Sequence, residues 1–110
     1  MKKNHSHSFE KCKGFKMDEK MLKKLSPYRV LYAEDDAGVR KNVYELLCLL
    51  FKEVYLATDG EEAYELFVKH KPDLIITDIK MPQLSGIDLA KKIRESDNKA
   101  HIIIITAYTE

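Results

Sequence analysis

From Arg29 onward, apolar segments of strand length alternate with amphipathic stretches of ten to fourteen residues. Val30–Ala33 reads as a first strand, and Val39, Val43, Leu46, Leu47 and Leu50 then recur on one face of a helix. Val54–Ala57 reads as a second strand. A second helix over Gly60–His70 has Asp59 and Glu62 placed as a capping box and Lys69, His70 and Lys71 at its carboxyl end, and Pro72 stops it. Leu74–Thr77 forms a third strand, and Ile87–Glu95 a third helix with Ile87, Ala90 and Ile93 facing the core. His101–Ile105 forms a fourth strand. The last two strands are continuous apolar runs, the pattern of a parallel sheet covered on both faces. Upstream, Met17, Met21, Leu22 and Leu25 have helical spacing and allow a short helix over 17–25. Residues 1 to about 16 are polar and without period, the composition of a disordered extension.

Strands and helices alternating with such short crossovers predict an α/β fold with a doubly wound parallel sheet. In the flavodoxin-like order 2-1-3-4, the first and third strands are neighbours. Ligands of such sheets bind outside the carboxyl ends of the strands, where the sheet reverses its winding. Glu34-Asp35-Asp36 follows the first strand and Asp78 follows the third, so Glu34, Asp35 and Asp78 are expected at one mouth. Carboxylates about 5 Å apart repel by roughly 3 kcal/mol per pair at an effective dielectric near 20. Folding gains nothing from that arrangement, and a cation or a chemical task explains it.

Composition narrows the remaining choices. A chain of 110 residues with 45% hydrophobic content suffices for one domain with a real core. It has no apolar run of the roughly 20 residues needed to span a membrane and no secretory h-region, so a soluble cytoplasmic protein is expected. Residues 1–29 hold nine Lys/Arg against three Asp/Glu, and residues 30–110 hold ten against fifteen. The basic extension, residues 1–27, reads as a solvated tail, since it lacks the aromatics and the reading module of a nucleic-acid binder. Cys12 and Cys48 show no disulfide or metal spacing; Cys48 reads as a small core residue. His5, His7 and Cys12 sit in sequence too polar to hold them as a metal site.

The acidic pair, Asp78, the Met81-Pro82 to Gly86 loop and Thr106-Ala107, in this order and spacing, resemble the receiver domain of two-component response regulators over residues 28–110. The resemblance implies that Asp78 is the phosphoacceptor for a sensor histidine kinase. It also implies that Mg²⁺ is held by Glu34, Asp35, Asp78 and the backbone carbonyl of Lys80, and that Thr106 is the switch hydroxyl. A carboxylate is a competent nucleophile for phosphoryl transfer, and hard oxygen ligands suit Mg²⁺. Beside these roles stand plainer ones. Asp36 suits the N-cap of the first helix better than a metal role, and Thr106 also suits strand composition. Pro82 fixes a loop, Gly86 admits a close backbone approach, and His101 is given no role.

Receiver domains have a fifth strand ending in a lysine, and the sequence stops at Glu110, so the resemblance predicts a receiver truncated before that strand. No lysine here is assigned the role. The fourth strand is then an apolar edge open to pairing with a second copy. Remaining receiver elements and an output domain, the latter the only route to nucleic acid, are expected downstream. A phosphorylation-independent interaction module is the alternative function. An aspartyl-nucleophile phosphatase like the haloacid dehalogenases is more remote, because it needs an aspartate where Lys80 stands. Neither the bound module nor a catalytic turnover is implied by the receiver resemblance; the expected protein is a signalling domain and not an enzyme.

Overall fold

The computed structural model describes residues 18–97 and 99–105. A short helix α1 (Glu19–Leu25) leads into β1 (Arg29–Ala33), α2 (Ala37–Leu50), β2 (Glu53–Ala57), α3 (Gly60–His70), β3 (Leu74–Asp78), α4 (Gly86–Ser96) and β4 (His101–Ile105). The four strands form one parallel sheet in the order β2-β1-β3-β4. This is the doubly wound order expected from the alternation. The helix expected over 17–25 is present from Glu19, with the Asp18 side chain accepting from the Lys20 amide.

Side-chain alternation along the strands divides the core into two layers. Leu31, Ala33, Ala57 and Ile75 point to one face, where Ala63 and Phe67 of α3 and Leu89 and Ile93 of α4 cover them. Val30, Tyr32, Val54 and Ile76 point to the other, against Leu47 and Cys48 of α2 and the adjoining Phe51. Leu25 of α1 packs at the border of this second layer. Cys48 is buried, as a small core residue should be.

Two apolar positions expected in the core are solvent-exposed. Val39 and Ile87 are 46% and 45% exposed, while Leu89 rather than Ile87 fills the α4 side of the core. Val39 lies in the first turn of α2, whose fully buried residues start only at Leu47, and Ile87 stands beside the buried face of α4 that runs through Gly86, Leu89 and Ile93. The continuous apolar β4 likewise is not covered on both faces among the described residues: Ile103, Ile104 and Ile105 are all exposed. β4 pairs with β3 alone, at the edge of the sheet.

Caps fix where each crossover ends. Asp36 accepts the Val39 amide at 2.9 Å and so caps α2, and Asp59 accepts the Glu62 amide at 2.8 Å and caps α3. The return arm of the expected capping box differs by one residue, because the Glu62 carboxylate takes the amide and hydroxyl of Thr58. At the other end of α3, Lys71 adopts the left-handed conformation (φ 51°), and Arg29 donates to the carbonyls of His70 and Lys71. Arg29 thereby ties the start of β1 to the end of α3, and its amide also donates to the Asp73 carboxylate.

The loop from Ile79 to Ser85 is held between two glycines. A Cβ on Gly60 would lie 1.9 Å from the Leu84 carbonyl oxygen, and one on Gly86 would lie 2.1 Å from the carbonyl oxygen of Asp78. Neither neighbour is a side chain that could swing away. Gly60→Ala is expected to lower stability by about 1–3 kcal/mol despite the better helix propensity of alanine; the midpoint of urea unfolding measures it.

Candidate functional site

The register brings the acids together. Ala33 pairs with Thr77, and the Glu34 amide continues the ladder by donating to the Ala57 carbonyl, so Glu34 emerges beside Asp78 at the carboxyl rim. Glu34, Asp35 and Asp78 each present a carboxylate oxygen within 4.8 Å of the others. Glu34 is buried, Asp78 partly exposed and Asp35 exposed, a gradient that opens the cluster to solvent on one side. Asp36 stands outside this cluster and serves as the helix cap, the plainer of the two roles open to it.

Backbone donors hold the two inner acids. Glu34 Oε2 accepts the Asp36 amide at 3.0 Å, and Asp78 Oδ1 accepts the Ile79 amide at 2.8 Å. Arg40, from the first helical turn of α2, donates to the Glu34 main-chain carbonyl at 2.7 Å. The Thr77 hydroxyl donates to the Asp78 carbonyl, and the Gly86 amide donates to that of Ile79. The close approach expected of Gly86 therefore serves the phosphoacceptor candidate directly: glycine lets α4 start against the backbone of Asp78.

Burial pushes the Glu34 carboxyl above its ordinary range; the Asp36 amide pulls against this, while the Asp78 and Asp35 charges add to it. A bound cation would reverse the electrostatic part of that cost. Hard oxygen donors, one buried and two accessible, with part of each inner carboxylate already fixed, fit a small divalent ion that keeps several waters.

Lys80 lies two residues beyond Asp78 in the β3–α4 loop, with an exposed side chain. Thr106 lies outside the described residues. Two further groups at the site were not legible as such in the sequence. Arg40 belongs to none of the motifs, and its contact with Glu34 spans six residues of chain. Tyr32 looked like an apolar strand residue. It is 2% exposed and stands two residues before Glu34 on the same face of the strand. Burial, followed by the charges of Glu34 and Asp78, pushes its pKa up to about 12, so the phenol stays protonated and a donor at neutral pH. The alternation of β1 was the available signal: Val30, Tyr32 and Glu34 share a face.

Comparison with known proteins agrees with this architecture. The response regulator receiver domain model matches residues 30–110. The transcriptional regulatory protein PdtaR of Mycobacterium tuberculosis is 46% identical over 85 residues, which are 76% of this chain and 41% of that protein. The response regulator MprA of a Mycobacterium species is 33% identical over 74% of this chain and 35% of its own length. Among solved structures, the N-terminal domain of a Wolinella succinogenes protein superposes with a TM-score of 0.70 at 40% identity, covering 76% of this chain and 67% of that one. CheY from Borrelia burgdorferi, in a complex with CheX, BeF₃ and Mg²⁺, gives 0.72 at 28% identity, covering 82% and 73%.

The chain thus belongs to the response regulator receiver family, the receiver domains of two-component signalling systems. It spans less than half the length of the curated relatives it matches. No described helix is long and apolar enough to cross a membrane.

Without divalent metal, the crowded carboxylates should cost stability. At 4.8 Å the Coulomb repulsion is a few kcal/mol per pair at a dielectric near 20, and solvent access to Asp35 and Asp78 reduces it. Asp78→Asn, which keeps an oxygen for the Ile79 amide, is expected to stabilise the metal-free protein by about 1 kcal/mol, read as a higher melting temperature in EDTA.

Proposed function

We propose that this receiver domain accepts a phosphoryl group on Asp78 from a phosphohistidine of a sensor histidine kinase and changes conformation in response. The convergence of Glu34, Asp35 and Asp78 within 4.8 Å at the carboxyl rim carries the reading. Relatives supply context: the Borrelia CheY complex contains Mg²⁺ and BeF₃, and the curated relatives are response regulators.

In this reading, Glu34, Asp35, Asp78 and the Lys80 main-chain carbonyl hold Mg²⁺. When bound, the ion supplies the positive charge that lets a phosphoryl group approach an acidic pocket. The Ile79 amide keeps Asp78 Oδ1 in place, leaving the other carboxylate oxygen to attack phosphorus. The new bond is an acyl phosphate; the phosphorus–nitrogen bond to the kinase imidazole breaks, and its electron pair stays on that nitrogen. Gly86 and Thr77 fix the Asp78 main chain against recoil. Thr106 acts as the switch hydroxyl that bonds the phosphoryl group. The receiver unit runs over residues 28–110, with 1–27 as a basic extension, and works in the cytoplasm with an output domain or target protein.

Incubation with acetyl phosphate and Mg²⁺ is expected to add one phosphoryl group by intact-protein mass spectrometry, and Asp78→Asn to prevent it. Persistent labelling of that variant would reject Asp78 as the acceptor. Saturating Mg²⁺ at ten times its Kd should also stabilise the unmutated protein by about 1.4 kcal/mol.

A further inference from the structure

A positive charge stands at the acid rim without pairing with an acid. The partly buried Arg40 guanidinium donates through Nη1 to the main-chain carbonyl of Glu34 at 2.7 Å. It forms no ion pair with Glu34, Asp35 or Asp78 within 4.0 Å among the described residues. The carbonyl it takes belongs to the peptide plane that joins Glu34 to Asp35. Just before that plane, the Glu34 amide is tied to the Ala57 carbonyl of β2. Just after it, the Asp36 amide returns to the Glu34 carboxylate, and the Asp36 side chain caps α2 at Val39. The Arg40 amide bonds the Asp36 carbonyl, which starts the helix. One residue thus ties the 34–36 turn at both ends. Its side chain supplies the tie at the 34–35 plane, where the chain has left the strand and not yet entered the helix.

We propose that Arg40 is a positioning residue of the cation site: by holding the Glu34–Asp35 peptide plane, its guanidinium sets where Asp35 presents its carboxylate. The proposal rests on the reading of Glu34, Asp35 and Asp78 as the cation ligands. Glu34 is buried and Asp78 partly so, and each of these carboxylates accepts a backbone amide. Asp35 is the exposed member, on a short side chain, so a turn of its own peptide plane carries the carboxylate with it. Arginine suits the task, because its fork of donors stays charged at neutral pH and a charged donor makes a stronger bond to a carbonyl than a neutral one. The same charge repels an incoming cation. Two effects of Arg40 therefore oppose each other, and positioning is the larger. Support of a metal ligand from outside the metal's own contacts changes affinity by about 10–100-fold, whereas a charge more than 4.0 Å from the acids at a solvated rim is screened.

The test is an NMR titration of the ¹⁵N-labelled chain with MgCl₂ alone, unmutated and as Arg40→Met, which keeps an unbranched stem and removes both donor and charge. Mg²⁺ binding is expected to weaken about fivefold, the net of a larger positioning loss and a smaller electrostatic gain. A charge that merely stood nearby would give the opposite sign, tighter binding once its repulsion is gone. Unchanged or higher affinity in Arg40→Met would thus overturn the role of Arg40 while leaving the cation site intact. Absence of Mg²⁺ binding to the unmutated chain would instead overturn the site itself and this role with it. A second readout does not depend on any Arg40 variant folding. In the unmutated chain at low temperature, the Arg40 Nη protons should give separate signals in EDTA and with Mg²⁺ bound, as in a guanidinium held on one acceptor. Signals averaged as in free arginine while the metal is bound would overturn the proposal.

Discussion

Parallel pairing of β1 with β3 is the constraint on which the rest of this molecule depends. With Ala33 opposite Thr77, the next residues on the two strands are both acids, and alternation turns both side chains to the same face. Lying within 4.8 Å, they repel by up to a few kcal/mol at an effective dielectric near 20, less the screening that solvent gives the partly exposed Asp78. Part of it is offset locally, since charge-accepting hydrogen bonds from the Asp36 and Ile79 amides contribute about 1.5–3 kcal/mol each. The remainder falls to the two apolar layers, which sit directly below the acids and fix the strands that carry them.

The rim is built to hold these groups still from the backbone outward. Arg40 grips the main chain of Glu34, Thr77 and Gly86 grip the main chain around Asp78, and Gly60 presses the far end of the same loop. Most of these contacts involve no side chain of the acids, so the carboxylates keep their outward lone pairs. At the opposite rim, Arg29 closes α3 onto the start of β1, anchoring the strand whose other end carries Glu34. Order at one end of the sheet is thus transmitted to the other through a single five-residue strand.

Much of this was legible in the sequence because it follows from periodicity. The runs Gly60–His70 and His101–Ile105 have the bounds expected of them, since Asp59, Pro72 and the isoleucines give sharp local signals. The grouping of Glu34, Asp35 and Asp78 was also legible, because in a parallel sheet position after a strand decides position in space. Val39 and Ile87 were misplaced because helical spacing groups residues on a face but does not fix how far along or around the helix the packed surface extends. The exposed isoleucines of β4 agree with the open apolar edge expected of the fourth strand. Arg40 and Gly60 act through contacts set by packing distance, and no local pattern announces those.

The account stands or falls on the three acids sharing one cation. Substoichiometric Mn²⁺ added to the ¹⁵N-labelled chain tests this most directly, since paramagnetic broadening reports distance from the ion. The amide signals of Glu34, Asp35, Asp36, Asp78 and Ile79 should broaden first and recover when Mg²⁺ is added in excess, while those of Arg29 and Asp73 at the opposite rim stay sharp. Broadening that begins at the opposite rim, or spreads evenly with no preferred residues, would contradict it.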